Sequence, residues 1–190
     1  MRFLLFAGFL IFVQTGNAQQ AASLETCFVC HGKGGVSTTP LIPSIAAMPQ
    51  FYVVAQLFLF REGRRLSPDM NKVAKDLKDA DLISLSKAVE SLPPPGASAE
   101  NADPQKFEKG KAIAGRERCG TCHGAAFSGE KNVPRTANQR EDYLLKALKE
   151  YKAGTRVGYG NAVMPETVSG LSEADLADVA HFLSHLPAKK

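Results

Sequence analysis

Two cysteine pairs carry the chemistry of this chain. Cys27-Phe28-Val29-Cys30-His31 and Cys119-Gly120-Thr121-Cys122-His123 both read C-x-x-C-H, and together they use all four cysteines. Two thiols three residues apart on a helical turn face the same side. They can add to the two vinyl groups of one porphyrin, with the adjacent histidine held beneath the iron. This is the attachment signature of a c-type haem. A zinc site asks for four ligands at knuckle spacing, whereas these pairs stand 92 residues apart. A dithiol redox motif needs a βαβ setting, and strand signals are nearly absent. The expected cofactors are two covalent haem c groups on Cys27, Cys30, Cys119 and Cys122, with His31 and His123 as iron ligands.

A thioether at the sixth position closes an iron and raises its potential. Met70 and Met164 follow their histidines by 39 and 41 residues. Each is read in a loop ahead of the last helix of its half. A methionine that only fills a core gap would instead sit on a helix face. Met70 and Met164 are therefore the expected sixth ligands. Met48 is the rival in the first half, but its counterpart is Gln139, which speaks for a structural role. Tyr52, Tyr143, Arg65 and Arg156 are read either as partners of haem propionates or as core and surface residues. His181 and His185 have Lys87 and Ser91 as counterparts and are read as a surface pair. No general acid, base or nucleophile cluster accompanies the haem sites, so an enzyme is not expected.

The elements that position these residues are duplicated. Pro43, Ala46, Tyr52, Leu57, Gly63 and Arg65 match Pro134, Ala137, Tyr143, Leu148, Gly154 and Arg156 at one offset of 91. Met70, Leu77, Ala80, Asp81, Leu82, Leu92 and Pro93 match Met164, Leu171, Ala174, Asp175, Leu176, Leu186 and Pro187 at an offset of 94. Chance does not hold one offset through so many matches. The spacing predicts helices over Ala21–Cys27, Pro49–Arg61 and Gln139–Lys152. A further helix is capped by Asp103 with Pro104 at its first position. The last helix of each half opens on an acidic turn and ends at Leu-Pro. The expected fold class is all-α: two like domains in tandem, each of three to four short helices and long loops around a covalent haem. The run Pro93-Pro94-Pro95-Gly96 cannot continue a helix and divides them. The expected domains are 19–92 and 104–190, joined by a linker at 93–103.

Arg2, the apolar run Phe3–Val13 and the small residues before Ala18 read as a signal peptide over 1–18, cleaved after about Ala18. Eleven apolar residues are too few to span a bilayer, and no later stretch is long enough. Without Arg2 the net charge falls from +4 to +3, and haem propionates would offset it. No basic tract suggests nucleic acid. An exported, periplasmic protein without structural disulfides is expected.

Cys27 to Gly32, Ile42-Pro43, Tyr52, Gln56-Leu57, Phe60 to Arg65 and Met70 resemble the di-haem cytochrome c4 family. So do Cys119 to Gly124, Val133 to Gln139, Tyr143, Leu148, Tyr151 to Arg156 and Met164-Pro165. The resemblance covers essentially the whole mature chain. It departs at Ala47-Met48 and at Asn138, where the family has Gly-Gln and Gly. It implies that the two all-α domains are tandem cytochrome c class I-like domains, and it implies His/Met ligation of both irons. It implies that the carbonyls of Pro43 and Pro134 accept a hydrogen bond from the proximal histidines. It also implies a periplasmic carrier moving electrons by outer-sphere transfer between respiratory donors and a terminal oxidase. The partners would be quinol–cytochrome c oxidoreductase, a terminal oxidase or a dehydrogenase, with peripheral membrane association allowed. An electron-transfer subunit of a periplasmic dehydrogenase is the alternative, and a haem peroxidase a more distant one.

Overall fold

The computed structural model describes residues 23–96, 102–156, 158 and 163–188. The expected signal peptide lies outside the described residues, as do residues 97–101 of the expected linker. The chain is all-α, with two class I cytochrome c-like halves. The first contains α1 (Leu24–His31), a 3-10 turn at Lys33–Gly35, α2 (Gln50–Arg61), α3 (Pro68–Ala74) and α4 (Asp79–Ser91). The second contains α5 (Pro104–Arg116), α6 (Gly120–His123), α7 (Glu141–Lys152), α8 (Val163–Val168) and α9 (Glu173–Ser184). Among the described residues the only β pairing is an isolated bridge between Glu130 and Val133.

Local chemistry starts the helices where the sequence marks them. Asp103 caps α5 by accepting from the backbone N–H groups of Gln105 and Lys106 at 2.9 and 3.1 Å, and Pro104 needs no donor there. Ser172 and Asp175 close a reciprocal capping box on α9.

In the second half α5 crosses α9. Ile113 and Ala114 meet Leu176, Val179, Ala180, Phe182 and Leu183, all buried in one apolar cluster. Phe182 receives Phe107 and Phe127 edge-on, with ring centroids 5.1 and 5.7 Å away. The crossing is close because Gly110 has no side chain: a Cβ there would stand 2.0 Å from the backbone oxygen of Asp178. Gly110→Ala is therefore expected to force the two helices apart and cost about 3 kcal/mol, the upper range for overpacking. The urea midpoint of the full-length holoprotein measures this. In the first half α2 packs on α4, burying Ala55, Leu59, Phe60, Leu82, Leu85 and Val89.

Candidate functional site

α1 runs through the first motif, so Cys27 and Cys30 lie on one turn and His31 ends the helix. In the second half α5 stops at Arg116, Arg118 takes a left-handed backbone (φ 55), and the motif forms its own turn, α6. A glycine follows each histidine with positive φ, +78 at Gly32 and +82 at Gly124. At Gly32 a Cβ would also stand 2.0 Å from the Val36 carbonyl oxygen, so no larger residue fits without moving the loop.

Both motif histidines are buried. His31 Nδ1 lies 2.8 Å from the Pro43 carbonyl oxygen, and His123 Nδ1 lies 2.9 Å from that of Pro134. A carbonyl only accepts, so each ring donates from Nδ1 and keeps Nε2 as a bare lone pair. Burial pushes both rings below the usual histidine range, against the smaller raising effect of the carbonyl bond. The rings are thus neutral near pH 7 and in the tautomer that can bind iron through Nε2. Burial raises the Cys27 and Cys119 thiols, and all four cysteines are free of disulfides.

Met70 lies inside α3 and Met164 inside α8, where loops were expected. The sequence signal was present for the first: Ser67-Pro68-Asp69 is a helix start. Asn71 secures that start, accepting from Ser67 N at 2.7 Å and donating to the carbonyls of Phe60 and Arg65. The loop argument for ligation therefore falls, while the matching places in the repeat remain. Met164 and Cys119 border the same apolar cluster of the second half.

The tyrosine and arginine pairs meet one another between the halves. Arg65 Nη2 donates to the Tyr143 hydroxyl at 3.1 Å, and Arg156 Nη2 donates to the Tyr52 hydroxyl at 3.2 Å. These contacts are repeat mates, so the seam has the reciprocal character of a two-fold interface. Arg156 Nη1 also reaches the Tyr143 hydroxyl at 3.3 Å, and Arg65 Nη1 bonds Gln56. Arg135, 1% exposed, donates to the Ala46 carbonyl across the seam and to the Ala137 carbonyl in its own half. Gln139 exchanges two hydrogen bonds with the backbone of Ser44, both 2.8 Å. Asp142 accepts from Leu41 N at 3.0 Å.

Burial alone would raise the Tyr143 phenol, but the guanidinium groups of Arg156 and Arg65 outweigh it and bring it down to about 7. Tyr52 goes the other way, pushed up to about 12 by burial and by its neighbour Tyr143. A phenol depressed by folding adds stability as pH rises above its folded value, fully once the unfolded value of about 10 is passed, and loses it as pH falls through 7. Urea midpoints are accordingly expected to climb between pH 7 and 10 in the wild type. That climb should be absent in Tyr143→Phe.

These residues fit a haem in each half. Each motif supplies two thiols and a neutral imidazole with Nε2 unused. Arg156 is 4% exposed and its Nε has no partner, nor has the buried Thr136 hydroxyl. Two guanidinium groups whose partners across the seam are phenols leave room for a carboxylate such as a propionate.

His181 departs from the surface pair expected: it is 6% exposed. Its Nε2 accepts from Asp103 N at 3.0 Å, so Nδ1 carries the proton and donates to Glu141, also at 3.0 Å. His185 Nδ1 lies 2.8 Å from the His181 carbonyl. Glu141, His181 and His185 have their ligand atoms within 4.8 Å of one another. With both His181 nitrogens committed, they serve as a latch joining α9, α7 and the start of α5.

Known proteins similar to this chain include cytochromes c. Residues 107–187 match the family model described as cytochrome c. The chain is 30% identical over 186 residues to a cytochrome c4 of Thiocapsa roseopersicina, covering 91% of this chain and 94% of that protein. It superposes on the cytochrome c4 structure of Acidithiobacillus ferrooxidans with a TM-score of 0.76 at 30% identity, over 86% of this chain and all of that one. It is also 29% identical over 184 residues to a Stutzerimonas stutzeri protein named thiosulfate dehydrogenase electron acceptor, covering 92% and 84% of the two chains.

Proposed function

The chain belongs to the cytochrome c4 family and is a di-haem electron-transfer cytochrome with two covalent haem c groups, and from that premise we propose that it is a periplasmic carrier between respiratory donors and a terminal oxidase. The observation that carries this reading is the pair of buried histidines, each fixed through Nδ1 by a proline carbonyl and each offering Nε2. When bound, each haem supplies a one-electron couple. The protein's part is to hold the iron in one coordination state, so that little reorganises as charge moves. Cys27, Cys30, Cys119 and Cys122 would form the thioethers, and His31 and His123 would each give a ring nitrogen to an iron. Met70 and Met164 would supply the thioether sulfurs that complete the two coordination sets. Pro43 and Pro134 orient the rings.

In this reading residues 1–18 are removed on export, and 19–92 and 104–190 are the two haem domains. The proline run within the 93–103 linker supports that division. No described helix is long and apolar enough to cross a membrane, so the carrier would meet quinol–cytochrome c oxidoreductase and an oxidase by weak, short-lived docking. The test is a stopped-flow assay with the ferric protein. It should be reduced by a membrane fraction supplied with quinol and reoxidised on addition of the oxidase. Failure of both half-reactions would remove the assignment.

One relative's name favours a second reading, an electron acceptor for a periplasmic dehydrogenase. Reduction by a purified thiosulfate dehydrogenase with its substrate, faster than by the quinol route, would select it.

A further inference from the structure

One peptide unit lies between the first motif histidine and the second half of the chain. The Pro43 carbonyl accepts from His31 Nδ1 at 2.8 Å. The N–H of the same peptide, that of Ser44, donates to Gln139 Oε1, also at 2.8 Å. Gln139 Nε2 returns a bond of 2.8 Å to the Ser44 carbonyl, and Oε1 accepts a second N–H from Arg140 at 3.0 Å. All three contacts require the same orientation of the amide, with oxygen toward the two N–H groups. The site is buried: Gln139 is 2% exposed and Ser44 3%.

The arrangement has no mirror image. At the offset of 91, Gln139 corresponds to Met48 and Ser44 to Arg135. Met48 is buried, but a thioether has no donor and is only a weak acceptor. It cannot return to the Pro134–Arg135 peptide what Gln139 gives to Pro43–Ser44. Arg135 spends its side chain on the carbonyls of Ala46 and Ala137 instead. The halves are joined reciprocally through their tyrosines and arginines, yet at the proximal histidines they are joined in one direction only.

We propose that Gln139, from the second half, lowers the reduction potential of the first haem by acting through the Pro43–Ser44 peptide on His31, and that the first half exerts no such control on the second haem. Hydrogen bonds at the two ends of a peptide polarise each other. The pull of Gln139 on the Ser44 N–H makes the Pro43 oxygen a better acceptor. That oxygen draws the Nδ1 proton of His31 and makes Nε2 more basic. A more basic axial nitrogen favours ferric over ferrous iron. Gln139 is thus a positioning and tuning residue, and it separates the two potentials of a chain built from a duplication.

The proposal rests on the reading of His31 as an iron ligand. Its test uses the full-length holoprotein, with a redox titration whose two midpoints are assigned to the individual haems by NMR of the ferric form. Gln139→Met installs the residue of the equivalent first-half position. It should move the first midpoint upward and leave the second in place, and the hyperfine-shifted His31 Nδ1–H resonance should move with it. Gln139→Glu keeps the acceptor oxygen and adds negative charge, so it should move the first midpoint downward. Opposite directions for the two variants distinguish tuning from mere loosening of the seam, which would move both variants alike. Midpoints that do not move, or that move equally for both haems while the nitrogen–thioether spectrum persists, overturn the proposal. A wild-type spectrum lacking nitrogen ligation at the first haem would instead overturn the ligand reading beneath it.

Discussion

Met164→Ala is expected to remove the thioether from the second iron. About half of the near-infrared Met-to-iron band of the ferric protein should vanish. The second midpoint should fall by a sizeable part of the roughly 0.8 V that axial ligands span, and the opened position should take up cyanide at neutral pH. Fold stability should fall less, because the side chain is only partly buried and borders the apolar cluster rather than lying within it. Met70→Ala should do the same to the first haem alone. Both variants are needed because both methionines sit on short helices, where a purely packing role is also physically reasonable. An unchanged band and midpoint in either variant would identify that methionine as packing and leave its iron with another sixth ligand.

Arg156→Leu should break the seam between the halves. The wild-type side chain donates to Tyr143 in its own half and to Tyr52 in the other, and it stacks 4.7 Å over the Tyr151 ring. Leucine fills much of the volume but leaves the Tyr52 hydroxyl without its donor, Tyr143 with Arg65 alone, and any carboxylate on Nε unpaired. Removing a charged donor from buried hydrogen bonds costs about 1.5–3 kcal/mol. The halves should then unfold in two separate urea transitions, where one is expected for the wild type. Arg156→Lys keeps the charge but not the planar fork, and should recover only part of the loss. A single transition at the wild-type midpoint in Arg156→Leu would show that Arg135, Gln139 and Asp142 hold the halves together without it.

The haem count, the two attachment motifs and the helical class are legible because they are local. C-x-x-C-H is chemistry within one turn. The helix caps at Asp103 and Ser172 act over three residues, and a duplicated chain prints its own element boundaries twice. Two local features were legible and misread. The Ser67-Pro68 start places Met70 on a helix, and the apolar neighbours of His181 mark a buried face rather than a surface.

What no local pattern contains is how one half is set against the other. Tyr52 and Tyr143, or Arg65 and Arg156, read the same whether they face propionates, core or solvent, since the repeat specifies each half and is silent on their placement. Contacts such as Arg156 to Tyr52, 104 residues apart, form only when two folded surfaces are brought into register. The same is true of Gln139 on Ser44. In the sequence it is a family-like residue matched to a methionine; in the folded chain it caps the peptide that holds His31. The residues alone determined that this protein carries two haems in two like halves. Only the tertiary structure decided that the halves are joined by buried cations and that the join is unequal, because packing, unlike the duplication, is not bound to be symmetric.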